Sequence, residues 1–339
     1  MKIKVGIAGV TGYTGLELLR ILSNHPHVEV TYLSSKSFAG KKLNEVYPFK
    51  LDETVLEDIE VERIESCDVL FTALPAGVSY ELVKDLKNTK VIDMGADFRF
   101  DDPSLYEEHY GKKLSNYQAC ERAYGLTELN REKIKNAKFV GNPGCYPTAV
   151  LLALAPLAKN DALGTSEIFV DAKSGVSGAG RKQDESYSFC ELNENLKPYN
   201  LVDHRHVPEM EEKLEMLFKR KINVVFAPHL IPMNRGILCT IYLKTSLSIE
   251  EAHEMYCEFY RDEFFVHVLP PGTYPATKWC LGTNHVFISL TKDERTGTLI
   301  VVSALDNLMK GASGQAVQNM NVMFCFEEQT ALGFKAVHP

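Results

Sequence analysis

Ile3-Lys-Val-Gly-Ile-Ala-Gly9-Val-Thr-Gly12-Tyr-Thr-Gly15-Leu-Glu-Leu-Leu-Arg-Ile-Leu22 decides how this chain folds. The residues up to Gly9 read as a strand. Leu16 to Leu22 carry apolar side chains at helical spacing. Between them the glycines at 9, 12 and 15 follow G-x-x-G-x-x-G, a variant of the dinucleotide fingerprint. Such a turn brings bare backbone against a pyrophosphate, which then rests on the helix N-terminus. A tight turn without a ligand would use the same glycines, but the flanking strand and helix supply the context that a bare triplet lacks.

Working outward, Val28–Leu33 reads as the second strand. An NAD site tends to place an acid about 20 residues beyond the glycines. Here Ser34-Ser-Lys-Ser-Phe-Ala-Gly-Lys-Lys42 offers three hydroxyls, three lysines and no acid. That composition suits a 2′-phosphate, so NADP(H) is expected over NAD(H), although the lysines would also suit a solvated loop. The α/β rhythm continues through strand Asp68–Leu74, helix Val78–Leu86 and strand Lys90–Gly95. Pro75-Ala-Gly77 falls at a strand end, where ligands gather in open parallel sheets, and so does Asp97-Phe-Arg99. Arg99 is a candidate anion clamp, with a surface salt bridge as the plainer alternative.

Gly141-Asn-Pro-Gly-Cys145-Tyr-Pro-Thr148 introduces an apolar run to Ala158 with helical length and composition. Pro147 suits the first helical position, and the glycines and Pro143 allow a sharp approach. Cys145 thus lies at the positive end of a helix, which lowers a thiol's pKa, so a thiolate nucleophile and an inert buried thiol both stand as readings.

From Ser166 onward the strands lengthen and alternate: Glu167–Ala172, Ile222–Ala227, Ile237–Lys244, His285–Leu290 and Thr298–Leu305. Helices are expected at Val207–Phe218 and Ser248–Phe264, the second opening with a Ser248/Glu251 capping box. Lys292–Gly297 reads as a turn. A last helix, Leu308 to Phe324, carries small residues that suit close packing back on the first domain. The fold class expected is an α/β Rossmann-type NADP-binding domain plus an α+β substrate and dimerisation domain with a largely antiparallel sheet. The ranges are 1–145 with 308–339, and 146–307.

The chain's 339 residues include 45% hydrophobic and 24% charged ones, with net charge −8. Without a basic stripe, nucleic acid is not an expected partner. No apolar segment approaches a membrane span, and the start runs straight into a strand instead of a signal peptide. The eight cysteines show no C-x-x-C pattern, which suits reduced thiols and a cytoplasmic location.

Two polar constellations remain. Ser174-Gly-Val-Ser-Gly-Ala-Gly-Arg181 can ring a phosphate or carboxylate with N–H and O–H donors, or serve as a mobile turn. In His204-Arg-His-Val-Pro-Glu209, an extended backbone would put both imidazoles on one face with Arg205 opposite. Histidine suits acid/base work near neutral pH. A metal site would need a third ligand, and none has convincing spacing, so no metal is expected.

These motifs, in this order over nearly the whole chain, resemble the N-acetyl-gamma-glutamyl-phosphate reductase family, relatives of aspartate-semialdehyde dehydrogenase. The resemblance implies Cys145 as nucleophile and His206 as acid/base. It places substrate on Arg99, His204, Glu209 and the Ser174–Gly178 loop (Ser174, Gly175, Ser177 and Gly178), with Asn142 of the cysteine motif beside them. Matches at the cofactor site are Thr11, Gly12, Tyr13, Thr14, Ser34, Ser35, Lys36, Ser37 and Asn319, added to Gly9, Gly15 and Pro75 from the strand ends. The implied substrate is an acyl phosphate, reduced by NADPH through a cysteine thioester, in a homodimer or homotetramer. Aminoadipyl or aspartyl phosphate is the alternative substrate. Asp93-Met-Gly-Ala-Asp-Phe-Arg99 departs mildly from the family, where Leu-Ser more often stands at Met94-Gly95. A cysteine hydrolase would also use Cys145 and His206 but has no use for the glycine turn.

Overall fold

Strand β1 (Ile3–Ala8) turns at Gly9 into helix α1 (Tyr13–Leu22), and β2 (Val28–Ser34) returns parallel to β1. The computed structural model describes residues 2–49, 53–117, 120–159, 162–181 and 184–337. Met1, His338 and Pro339, at the ends of the expected first-domain ranges, lie outside these. The chain divides into two compact units: Met1–Pro143 with Ala312–Gly333, and Gly144–Gly311 with Phe334–Pro339.

In the first unit β3 (Val69–Thr72), β4 (Lys90–Asp93), β5 (Arg122–Tyr124) and β6 (Phe139–Gly141) complete a six-stranded sheet of order β2-β1-β3-β4-β6-β5, parallel throughout. A parallel sheet is covered on both faces, so its strands bury continuous runs, and all four residues of β3 are buried. Helix α2 (Thr127–Asn136) precedes β6. The first unit also takes in the late helix Gly314–Met323, whose Asn319 Oδ1 accepts the Thr127 hydroxyl at 2.8 Å. Phe98 stacks on Phe139 with centroids 5.0 Å apart inside this unit's aromatic core.

The second unit opens with α3 (Cys145–Lys159), which starts two residues before Pro147, so that proline is the third helical residue. Pro156 has no N–H for the Leu152 carbonyl. The Tyr260 hydroxyl donates to that carbonyl instead, and the Tyr256 hydroxyl to Ala153 O at 2.5 Å. Both tyrosines come from α5 (Ile249–Phe259) and its C-cap, reached after α4 (Val207–Phe218). The capping box at Ser248 and Glu251 forms in both directions.

Seven strands build the second sheet: β7 (Glu167–Gly175), β8 (Lys197–Pro198), β9 (Asn223–Ile231), β10 (Ile237–Lys244), β11 (Val266–Val268), β12 (Val286–Asp293) and β13 (Thr298–Leu305), in the order β11-β12-β13-β10-β7-β9-β8. β11–β12 and β7–β9 pair parallel and the other four ladders are antiparallel. Alternation is strict where one face is covered: Ile168, Val170 and Ala172 of β7 are buried, while Phe169, at 48% exposure, points the other way. Val225 and Tyr242 share its exposure on β9 and β10.

Candidate active site

The glycine turn is built for an anion at a helix end. Gly9 has φ +86°, and a Cβ there would lie 2.4 Å from Ala73 O, so only glycine fits. A Cβ on Gly15 would stand 2.5 Å from Gly9 O, which is the close strand–helix packing the motif requires. Gly12 is the N-cap of α1 and offers no side-chain cap; no acid occupies the first turn. The helix N-terminus therefore keeps backbone donors for a ligand. At the end of β2 the Ser34 hydroxyl is buried with no hydrogen-bond partner among the described residues, and Ser35 bonds Thr11 through their hydroxyls at 2.9 Å. The three lysines differ. Lys42 pairs with Glu53 at 2.9 Å, Lys41 lies over the Phe38 ring at 5.9 Å, and exposed Lys36 has no ion pair or hydrogen bond among the described residues. This donor set fits a dinucleotide with a 2′-phosphate.

Other residues expected at the cofactor and substrate are spent on the protein itself. Asn319 Nδ2 donates to Gly125 O at 2.8 Å and Asn142 Oδ1 at 3.1 Å, and its Oδ1 accepts from Thr127 and Gln315. Asn142 in turn donates through Nδ2 to Ala312 O. Arg99 is 7% exposed and donates through Nε to Asn142 O at 2.8 Å and through Nη2 to Met94 O at 3.0 Å. These groups brace the Asn142-Pro143 segment, and neither a surface salt bridge nor an open clamp describes Arg99. Tyr13 and Pro75 are exposed, as is Ser37.

At Cys145 the Gly144–Tyr146 stretch meets the Tyr199–Glu209 segment and Gly311. Of the four N–H groups that a helix start leaves without intrahelical acceptors, Gly144 gives its own to Glu209 Oε1 at 2.9 Å and Pro147 has none. Glu209 is fully buried, so its carboxylate anchors the approach to Cys145. The His206 ring packs directly on Gly144: a Cβ there would lie 2.6 Å from Nε2. Gly311 packs on Cys145 itself, and a Cβ on it would be 2.8 Å from Cys145 Cβ. The π-helical turn Met309–Ser313, which follows β13, carries Gly311, and Gly311 N–H donates to Asp306 O at 3.0 Å.

His204 and His206 come together by a different route from the extended one expected. Residues 201–206 form turns, and His206 is the N-cap of α4 with φ −85° and ψ −13°. His206 N–H donates to His204 Nδ1 at 3.2 Å, and the rings lie 4.9 Å apart at 64°. A backbone N–H only donates, so the neutral His204 carries its proton on Nε2. Burial first, and Arg205 second, push the His204 pKa down to about 4, so the ring is neutral near pH 7. Tyr146, Tyr199 and Phe226 surround it edge-on. The Tyr146 and Tyr199 hydroxyls bond each other at 3.1 Å, and burial raises both phenol pKa values.

The Ser174–Gly178 loop is ordered by backbone bonds. Gly175 N–H donates to Gly236 O, Val176 to Met233 O and Ser177 to Asn234 O. Ser174 Oγ turns back to Gly175 O at 2.9 Å. Asn307 donates to Ser177 Oγ at 2.9 Å and accepts from Gly236 N–H at 2.8 Å. Beside it the buried Asp306 caps Leu308 and Met309, accepts from Gly282, and faces Arg235 at 3.7 Å. Asp306, Asn307, Arg235, Tyr199 and the role of Gly311 were not anticipated. Asp306-Asn307 between a strand and a helix is the capping signal that could have flagged the first two.

A Rossmann-type unit with a glycine turn, followed by a mixed-sheet unit with a cysteine at a helix mouth, defines a nicotinamide-dependent aldehyde-forming class. Residues 4–137 match the family model for the semialdehyde dehydrogenase NAD binding domain, and 145–307 that for the semialdehyde dehydrogenase dimerisation domain. The fold is that of aspartate semialdehyde dehydrogenase II from Vibrio cholerae, with TM-score 0.72 and 19% identity over 96% of this chain and 99% of that one. Aspartate semialdehyde dehydrogenase with NADP from Candida albicans gives TM-score 0.70 at 16% identity over 96% and 99%. The chain is 58% identical to N-acetyl-gamma-glutamyl-phosphate reductase of Pseudothermotoga lettingae over 100% of both, and 51% identical to that of Thermoanaerobacter sp. strain X514 over 99% and 100%. It belongs to the N-acetyl-gamma-glutamyl-phosphate reductase family.

Proposed function

We propose that the protein reduces N-acetyl-L-glutamyl 5-phosphate with NADPH to N-acetyl-L-glutamate 5-semialdehyde, releasing phosphate, as a step of arginine biosynthesis. One observation supports the chemistry above all: His206 packs on Gly144, the residue joined to Cys145, at the mouth of α3. The Cys145 thiolate attacks the acyl carbon, the acyl–oxygen bond to phosphate breaks, and a thioester remains. The positive N-terminal end of α3, which Cys145 opens, stabilises the oxyanion. The Gly9–Gly15 turn would hold the phosphates of a reduced nicotinamide dinucleotide and Ser34–Ser37 its 2′-phosphate, and the bound group would supply the hydride. His206 takes the hydroxyl proton of the sulfur-bound tetrahedral adduct as the aldehyde departs and the thiolate returns. His204, neutral and hydrogen-bonded to His206 N–H, keeps that ring in place. The Ser174–Gly178 loop, with Asn307 behind it, holds the substrate's anionic groups.

Among the described residues no helix is long and apolar enough to cross a membrane. A cytoplasmic homodimer or homotetramer accords with this, joined through the sheet face that exposes Phe169, Val225 and Tyr242. Sedimentation at the mass of a single chain would overturn the assembly.

The assay runs in reverse, which avoids the labile acyl phosphate: N-acetyl-glutamate semialdehyde, phosphate and NADP, followed at the absorbance of NADPH. Phosphate-dependent NADPH formation is expected, with kcat/KM above that for aspartate or aminoadipate semialdehyde. Turnover that ignores phosphate shows water, not phosphate, cleaving the thioester and rejects the acyl-phosphate substrate, and preference for another aldehyde reassigns the substrate.

A further inference from the structure

We propose that Asp97 is a positioning residue for nucleotide binding: its carboxylate fixes the Pro75–Gly77 turn, through three hydrogen bonds, in the form that receives the nucleotide. Asp97 is fully buried. Its Oδ1 accepts the Gly77 N–H at 2.6 Å and the Tyr106 hydroxyl at 2.7 Å. Its Oδ2 accepts the Tyr80 N–H at 2.9 Å. Tyr80 lies in the first turn of the short helix Ser79–Val83, so one carboxylate holds both the turn after β3 and the helix that follows.

A second carboxylate stands behind the first. Asp93 Oδ2 accepts the Asp97 N–H at 3.1 Å, and Oδ1 accepts the Thr72 hydroxyl at 2.7 Å and the Gly95 N–H at 3.1 Å. Burial and the nearby Asp97 charge push the Asp93 carboxyl up to about 6. Buried carboxylates are costly unless every oxygen is bonded, and an ordinary exposed turn needs none. Here the cost secures a particular backbone path. Gly77 sits at φ +76°, and Ala73, at the start of the same loop, touches Gly9 of the glycine turn. From the solvent side Lys112 Nζ donates to Ala76 O at 3.0 Å. The turn is thus pinned from below by Asp97 and from above by Lys112, while Pro75 at its start is exposed.

The proposal rests on the reading that Pro75–Gly77 faces the nucleotide, and the test separates the two. NADPH affinity is measured calorimetrically on the full chain for wild type, Ala76→Asp, Asp97→Asn and Tyr106→Phe, with melting curves recorded without nucleotide. Ala76→Asp places a negative charge beside the phosphates and should weaken NADPH. Asp97→Asn replaces an acceptor by a donor, and about tenfold weaker NADPH binding is expected. Its kcat at saturating NADPH should stay within about threefold, because no reacting atom is touched. Tyr106→Phe removes one of three donors and should weaken NADPH about threefold. If Ala76→Asp binds NADPH as wild type does, the turn does not face the nucleotide and the underlying reading fails. If Ala76→Asp weakens binding but Asp97→Asn melts lower with unchanged affinity, Asp97 is only structural and the proposal is overturned. Should Asp97→Asn not fold, Tyr106→Phe decides against the same reference: unchanged affinity overturns the proposal.

Discussion

In the proposed reaction the glycine turn and the cysteine site would solve the same problem, holding an oxyanion, with opposite kinds of construction. The turn uses consecutive residues, Gly9 to Gly15, and works through backbone: a positive φ, a close strand–helix approach and an uncapped helix end. The cysteine site draws on Gly144–Tyr146, Ser174–Gly178, Tyr199–Glu209, Arg235–Gly236 and Asp306–Gly311, separated by up to about half the chain. Its precision comes from side chains that hold other backbone groups, as Glu209 holds Gly144 and Asn307 holds Gly236. Contiguous backbone function tolerates few residues but announces them as a motif. Dispersed function depends on sheet register and turn geometry, and each segment alone looks ordinary.

The sharpest way to break this comparison is to remove the one atom for which the dispersed site exists. Cys145→Ser keeps the side-chain volume but replaces a thiolate by an unactivated hydroxyl, and an oxygen ester is a poorer acceptor of hydride than a thioester. A kcat loss on the order of 10³-fold or more is expected, about 4 kcal/mol of barrier, with NADPH affinity unchanged. Near wild-type turnover in a folded Cys145→Ser protein would end the mechanism. A loss of NADPH affinity alongside would mean that the two constructions are not separable.

Gly311→Ala probes the dispersed site without touching its chemistry. The added carbon would lie 2.8 Å from Cys145 Cβ and 3.3 Å from Cys145 Cα, so the Met309–Ser313 turn or the thiol must shift. A displacement of some tenths of an ångström at a nucleophile costs about 10- to 100-fold in kcat. The loss should appear in kcat more than in NADPH affinity. If kcat stays within twofold, the helix mouth is softer than a site built on close packing allows.

Much of the fold was legible because both periods are strong. Val207–Phe218, Ile237–Lys244 and Thr298–Leu305 have the boundaries their patterns indicate. Helix α1 starts three residues before its apolar spacing does, since Gly12 and not Leu16 ends the turn. The short strands Arg122–Tyr124, Phe139–Gly141 and Val266–Val268 escaped notice, because three residues carry no period. Helix Thr127–Asn136 escaped for another reason: it buries only Thr127 and Ile134, so no apolar stripe marks it. The His204-Arg-His206 stretch was legible as chemistry but not as shape. An extended backbone and a turn both bring i and i+2 to one side, and Pro208 in the first turn of α4 is what favours the turn. Asn142, Arg99 and Asn319 stood out as polar residues at promising places. In the structure Arg99 donates to the Asn142 carbonyl, and Asn319 to the Asn142 side chain and Gly125 O, partners that only three dimensions reveal.

The smallest expected effect tests the part of the contiguous site that is side chain, the discrimination of the 2′-phosphate. Three lysines follow β2; residue type alone does not separate them, and only the family resemblance names Lys36. Structure separates them: Glu53 neutralises Lys42, Lys41 leans on Phe38, and Lys36 alone has no partner of its own, next to the buried Ser34 and Ser35. A charge-assisted bond to phosphate is worth roughly 1.5–3 kcal/mol, and an exposed lysine belongs at the low end. Lys36→Ala should therefore raise KM for NADPH about tenfold and leave both kcat and the NADH reaction unchanged. Lys42→Ala, which strands Glu53 instead, should change the NADPH-to-NADH ratio by less than about threefold. If the two substitutions give equal losses, the phosphate is held by a diffuse positive loop. The side-chain portion of the glycine-turn site would then be as dispersed as the cysteine site.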